Sequence, residues 1–189
     1  NPELQIIHSG DPADPDDLFA RKFLYDFQLT SAGELLVGTN DGLTIYRYDE
    51  SLETYIQTGI IEDFQYLGVQ ELVPGLKENE FWVGTEDEGL FRLSGEGYDP
   101  DGYTVEKLGV GKGLDYGNIS SIVFDGSRRV WINDFGKGIH RFELDESGNL
   151  QTSILFDVKS GVPHEYISQI FIDEEGNQWF SSQGIGISV

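Results

Sequence analysis

The stretch Trp82-Val-Gly-Thr-Glu-Asp-Glu-Gly-Leu90 decides the fold, because the chain carries three variants of it. These are Leu36-Val-Gly-Thr-Asn-Asp-Gly-Leu43, Trp131-Ile-Asn-Asp-Phe-Gly-Lys-Gly-Ile139 and Trp179-Phe-Ser-Ser-Gln-Gly-Ile-Gly-Ile187. The leading large residue recurs at 36, 82, 131 and 179, in steps of 46, 49 and 48 residues. Repeats of about 40–50 residues are the signature of propeller blades. Helical repeats of that length would show long stretches of 3.6-residue periodicity. This chain instead has short β-rich runs broken by Gly, Asp and Asn.

Outward from the motif, each repeat resolves into four strands. In the third, Ile119–Phe124 alternates and is rich in β formers, and Asp125-Gly126 turns the chain into Arg129–Ile132. Gly136-Lys-Gly138 then leads to Ile139–Leu144, and Glu146-Ser-Gly-Asn149 makes a hairpin into Leu150–Phe156. The first repeat reads as strands at 23–29, 34–38, 43–48 and 54–58, and the second as strands at 66–73, 80–84, 90–93 and 103–108. The fourth supplies 166–172, 178–181 and a stub at 186–189. An orphan strand, Leu4–His8, precedes the first repeat. The count is sixteen strands, or four blades of a four-stranded antiparallel meander, in an all-β chain. Two arrangements fit it: a small closed ring in which Leu4–His8 completes the last blade, or a slice of a larger propeller. The whole of 1–189 reads as one propeller domain. A leading strand and linker fill 1–20, and the blades fill 21–58, 59–109, 110–160 and an incomplete 161–189.

Composition sets the outer limits. The 189 residues include 34 acidic and 12 basic side chains, a net charge of −22, with 24 Gly and no Cys. That field repels phosphate backbones and anionic membrane surfaces, so nucleic acid is not an expected partner. The absence of Cys excludes disulfides, thiolate metal sites and a thiol nucleophile. The chain opens on Asn1 without a signal peptide and reads as a mature or trimmed piece. No apolar run approaches the roughly 20 residues of a membrane-spanning helix.

The repeated residues read as architecture. Trp82, Trp131 and Trp179 are expected in the core between sheets, with Leu36 as the smaller substitute. Thr39, Thr85, Asp134 and Ser182 follow as strand-end residues that hydrogen-bond nearby backbone. Gly42, Gly89, Gly138 and Gly186 are expected at positive φ or at a close strand approach.

The stretch Gly161-Val-Pro-His-Glu-Tyr-Ile-Ser-Gln-Ile-Phe-Ile-Asp-Glu-Glu-Gly-Asn-Gln-Trp179 resembles the two-component regulator propeller repeat. That repeat has a Gly-Leu-Pro step, an Ile/Val-rich strand, Asp-x-x-Gly-Asn-x-Trp, then Gly-Thr and Gly-Leu. Gly113-Leu114 to Trp131 is a looser copy in which Gly126-Ser-Arg-Arg129 replaces the acidic turn, and the back half recurs at 82–90 and 36–43. The resemblance runs from about residue 23 to the end. It implies the exported sensor portion of a bacterial hybrid histidine kinase or related regulator, periplasmic or extracellular, of a kind that commonly responds to oligosaccharides. Members of that family usually carry many repeats, a transmembrane segment and a kinase.

In a meander the blade-to-blade loops emerge on the same face as the turns between second and third strands. That face gathers Asn40, Asp41, Asp63, Glu86, Asp87 and Gln183. It also holds the ligand-binding candidates Tyr116, Asn118, Phe135, Lys137, His164 and Tyr166. Aromatics among amides and carboxylates suit a sugar, whose apolar face stacks while its hydroxyls are bonded.

Other readings are weaker. The histidines, at 8, 140 and 164, stand in unrelated contexts, and no nucleophile elbow, zinc helix or phosphate loop appears. No catalytic residue and no cofactor is expected, and a hydrolase or lyase is kept only because other propellers host them. Asp11, Asp14, Asp16 and Asp17, and separately Asp99-Pro-Asp-Gly102, gather oxygen ligands that could suit calcium, without the twelve-residue loop of an EF-hand. The expected partners are a small-molecule or oligosaccharide ligand, and a second copy or further blades of a parent chain. The alternative to a sensor is therefore an interaction module that assembles through its open blade edges.

Overall fold

The computed structural model describes residues 23–189 apart from 127, 163 and 185. Its regular structure is β, with three short 3₁₀ turns. Blade 1 holds β1 (Leu24–Leu29), β2 (Leu35–Thr39), β3 (Gly42–Asp49) and β4 (Thr54–Ile60); blade 2 holds β5 (Val69–Pro74), β6 (Glu80–Thr85), β7 (Leu90–Gly95) and β8 (Tyr103–Leu108). Blade 3 holds β9 (Ile119–Asp125), β10 (Arg129–Asp134), β11 (Gly138–Leu144) and β12 (Leu150–Phe156). Blade 4 holds β13 (Ile167–Ile172), β14 (Gln178–Ser182) and β15 (Gly186–Ser188). Each sheet is an antiparallel meander in chain order, and β1, β5, β9 and β13 touch in succession as the innermost strands. These are four blades of a β-propeller. The orphan strand at 4–8, on which ring closure turned, lies outside the described residues, as does the aspartate group at 11–17.

Two innermost strands begin later than the sequence pattern suggests. Residues 66–68 form a turn rather than strand, because Phe64 is driven fully into the core and Tyr66 reverses the chain at φ +67°. Tyr166 likewise precedes β13.

The registers align the blades position by position. Leu24, Val69, Ile119 and Ile167 stand opposite Thr39, Thr85, Asp134 and Ser182; Phe27, Leu72, Ile122 and Ile170 stand opposite Val37, Val83, Ile132 and Phe180. Gly38 and Gly84 then need to be glycine: a Cβ there would lie 2.7 Å from the Val69 carbonyl oxygen and 2.5 Å from that of Ile119. In blade 3 Asn133 takes the position and turns the approach into a bond, its Nδ2 donating to the Ile167 carbonyl at 2.6 Å.

Side chains one step earlier on the innermost strands latch each blade to the next. Leu72 N–H donates to Asp26 Oδ2 at 2.7 Å, Ile122 N–H to Glu71 Oε1 at 3.4 Å, and Ile170 N–H to Ser121 Oγ at 3.1 Å. Burial raises the Asp26 carboxyl above its usual range and lifts Glu71 to about 7, with the Asp26 charge adding to the effect on Glu71.

The apolar core consists of the seams between blades. Leu36, Leu43 and Ile45 meet Val69 and Leu72; Trp82 and Leu90 meet Ile119 and Ile122; Trp131 and Ile139 meet Ile167 and Ile170. Trp82 is fully buried and Trp131 nearly so, at 6% exposure. Trp179 departs from expectation: it is 37% exposed, because no described blade covers its side of blade 4. Its indole N–H instead donates to Asp173 Oδ2 at 2.8 Å, and Asp173 also accepts the Glu175 and Asn177 main-chain N–H groups. The Asp-x-x-Gly-Asn-x-Trp pattern is thus a turn built around one carboxylate. The Trp179 bond, more than any other, holds that carboxyl down at about 2.

Two stability predictions follow from the seams. Folding favours protonated Glu71, so stability falls as pH rises from about 4.5 towards 7, where the carboxyl must ionise half-buried. Glu71→Gln keeps the acceptor for Ile122 N–H and removes the titration. Its melting temperature should be flatter across that window and higher by roughly 5 °C at pH 8; an unchanged pH slope would refute the assignment. Trp82→Ala should cost about 3–5 kcal/mol in urea unfolding, and Trp179→Ala about 1 kcal/mol or less. Equal losses would contradict the seam description.

Candidate functional site

The loops entering the innermost strands carry an aromatic residue at one repeated place. Tyr66, Tyr116 and His164 each stand three residues before the first strand residue, Val69, Ile119 or Ile167. Beneath the two tyrosines, Phe64 and Leu114 are fully buried and anchor the loops, while Tyr66 and Tyr116 are 77% and 73% exposed. Tyr66 is missed by the sequence reading, which placed it on a strand. The signal available was its spacing from Val69.

The turn after each second strand is tied to the same loops. The main-chain N–H groups of Asn40, Glu86, Phe135 and Gln183 donate to the carbonyls of Phe23, Gly68, Asn118 and Tyr166, between 2.8 and 3.1 Å. The strand-end residues beside them hold the turns, as expected for three of the four. Thr39, Thr85 and Ser182 donate their hydroxyls to the carbonyls of Gly42, Gly89 and Gly186.

Asp134 cannot donate in that way, and blade 3 is built differently there. Its fully buried carboxylate accepts the Asn118 main-chain N–H at 3.0 Å through Oδ1 and pairs with Lys137 Nζ at 3.0 Å through Oδ2. Lys137 Nζ also donates to the Tyr116 carbonyl at 2.7 Å. A buried carboxylate needs such partners, because an unpaired one costs several kcal/mol. The substitution therefore ties the loop between blades 2 and 3 to the turn of blade 3.

The six sequence candidates come together as one strip. The Phe135 ring lies 5.4 Å from that of Tyr166, and His164 lies 5.1 Å from Tyr166 on its other side. Tyr166 N–H donates to His164 Nδ1 at 3.0 Å, so the neutral imidazole carries its proton on Nε2. Asn118 takes part through its main chain, between Asp134 and Phe135. Lys107 on β8 joins the strip, its Nζ 4.9 Å from the centroid of the Tyr116 ring and 2.9 Å from Glu88 Oε2. Nothing in the sequence signalled Lys107, which stands nine residues before Tyr116. The result is a row of exposed or half-buried rings with two ammonium groups, each ammonium matched by a carboxylate.

The other titratable candidates lie elsewhere. His140 is buried, stacked 5.8 Å from Phe142, and its burial lowers its affinity for a proton. Asp99 accepts the Asp101 main-chain N–H at 3.0 Å and serves as a turn cap. Among the described residues, no group of three or more His, Asp or Glu is placed to hold a metal ion, and no helix is long and apolar enough to cross a membrane.

No protein-family profile and no curated protein matches the sequence. Solved structures do match. The extracellular domains assigned to the hybrid two-component systems BT4673 and BT3049 of B. thetaiotaomicron are each 23% identical to this chain. They align over 87% and 90% of it, with TM-scores of 0.59 and 0.64. The chain spans 21% and 22% of their lengths, about one fifth. Regucalcin from Agrobacterium tumefaciens, a calcium-binding protein, is 16% identical over 87% of this chain and 55% of its own, with a TM-score of 0.59. At such identities the likeness establishes the fold, and the two extracellular domains agree with the resemblance carried by the repeat motif. The chain is a run of β-propeller blades.

Proposed function

We propose that this chain is a non-catalytic, extracytoplasmic recognition propeller, the sensor part of a two-component regulator, and that it binds a neutral oligosaccharide on its loop face. The observation that carries the reading is the strip Tyr116, Lys137, Phe135, Tyr166 and His164, in which rings and hydrogen-bonding groups alternate along one surface. Rings accept the apolar faces of sugars while adjacent donors and acceptors take up the hydroxyls. Both ammonium groups are already paired, and the chain carries a net charge of −22, so an acidic sugar meets no spare positive charge there. The same pairing supports a non-catalytic role, since Asp134 and Glu88 are engaged by Lys137 and Lys107 and are poorly placed to act as acid or base. The two extracellular domains among the similar structures support the sensor assignment and the location outside the cytoplasm.

The test is a screen of neutral and acidic oligosaccharides on an array, followed by titration calorimetry with the best binder. Tyr116→Ala, His164→Ala and Tyr166→Ala should each weaken binding by about fivefold to thirtyfold, as expected for lost stacking of about 1–2 kcal/mol. Undiminished binding by all three variants rejects the site, and preference for acidic sugars rejects the neutral specificity.

A further inference from the structure

Opposite the aligned residues Val37, Val83 and Ile132, the third strands carry Thr44, Phe91 and His140. In blade 2 this ring packs edge-on, at 5.3 Å, against Phe64, the buried anchor of the loop that leads into the blade. Blade 3 keeps a flat ring there, stacked 5.8 Å from Phe142 at 13°, but makes it one that can take up a proton. His140 is buried, and its Nδ1 has no hydrogen-bond partner among the described residues. A buried ring nitrogen without a partner suits the neutral imidazole and disfavours the charged one.

The loop between β8 and β9 lies over this ring. Gly113 rests against it, since a Cβ there would stand 3.2 Å from His140 Cε1. Gly109 and Gly111 turn the loop at φ +71° each, a conformation that glycine adopts readily. Of the charged groups around the imidazole, Asp134 on β10 favours its protonation and Lys137 in the following turn opposes it. Burial outweighs Asp134 and keeps the ring's affinity for a proton below that of a free imidazole. On the covering loop, Lys112 Nζ donates to the Leu150 carbonyl, and Asp115 Oδ1 accepts the Gly111 N–H at 2.8 Å. Ile132 and Leu155 stand opposite His140 on β10 and β12, and β12 carries no charged residue.

We propose that the loop at 109–118 is a strap held down by neutral His140 and released when that imidazole takes up a proton. Charging the ring in place would leave a buried cation beneath the Gly113 main chain. The counter-charge on offer, Asp134, already holds Lys137 Nζ and the Asn118 N–H at the far end of the same loop. An imidazolium therefore loosens both ends of the loop, and lifting Gly113 gives it water instead. The closed strap keeps its full advantage above the free imidazole's 6.5 and loses it as pH falls below that, because burial depresses the closed form's proton affinity. Its bearing on ligand binding rests on the recognition role proposed above, since the strap carries Tyr116, whereas the strap itself can be observed without a ligand.

Hydrogen–deuterium exchange at the loop's bonded amides, Gly111, Lys112 and Asn118, tests this on the whole chain. Corrected for intrinsic rates, their protection should fall about tenfold between about pH 7.5 and about pH 5, as uptake of one proton by the open loop requires. His140→Phe, which copies Phe91 of blade 2, and His140→Gln, which stays polar, should each make protection level across that range. Glu71→Gln, which removes a titration elsewhere in the molecule, should leave the fall intact. Level protection in the wild type overturns the proposal. So does a fall that persists in either His140 variant or vanishes in Glu71→Gln. An intact exchange response in a protein that binds no oligosaccharide supports the strap and rejects the recognition role alone.

Discussion

The innermost strands of neighbouring blades approach so closely that the main-chain N–H of one strand must find its acceptor on the blade before it. Leu72, Ile122 and Ile170 all do so, on Asp26, Glu71 and Ser121. A meander leaves the free edge of its first strand unpaired, and a buried unpaired N–H costs about 1–3 kcal/mol. The side-chain acceptor relieves that cost and fixes each blade at one height against the next. Gly38 and Gly84 permit the approach by having no Cβ, and Asn133 replaces empty space with a bond to the Ile167 carbonyl. The rest of the molecule depends on this contact, since it aligns the aliphatic seams and brings successive loops to one face.

The excess of acid looks different once the seams are known. A share of the carboxylates does structural work between blades. Glu34 accepts Gly97 N–H of blade 2 at 3.0 Å, and Glu80 braces Arg92. Arg92 in turn donates to the Gly148 carbonyl and Asn149 Oδ1 of blade 3, at 2.5 and 3.2 Å. Asp26, Glu71 and Asp134 belong to the same class. Each is buried or half-buried with donors around it, so its position is fixed by hydrogen bonding more than by long-range charge. The remaining exposed acids set the negative field in which the loop face operates.

The loop-face strip varies the repeat without breaking it. The place three residues before the innermost strand is free to vary, because the anchor beneath it, Phe64 or Leu114, carries the packing. The strand-end position is nearly fixed as a small donor to the following turn. Where blade 3 places Asp134 there instead, the turn gains a cation, Lys137, and a tie to the neighbouring loop. Departure from the repeat marks the candidate site better than the repeat itself does.

Periodicity in the sequence determined the blades, because a strand pattern broken by Gly and Asp every 46–49 residues has few other ways to bury its apolar side. It also determined which loops share a face, since that follows from antiparallel connectivity, and so the nearness of the six candidate residues to one another was legible in advance. Tyr66 and Lys107 were not. One depends on a left-handed turn that reads locally as strand, the other on which side of an outer strand meets the next loop. Nor could the motif say that Trp179 is partly exposed while Trp82 is buried, for the two stand in the same local pattern. Burial is decided by the neighbouring blade, not by the residue, and only the tertiary structure says where a neighbour stands.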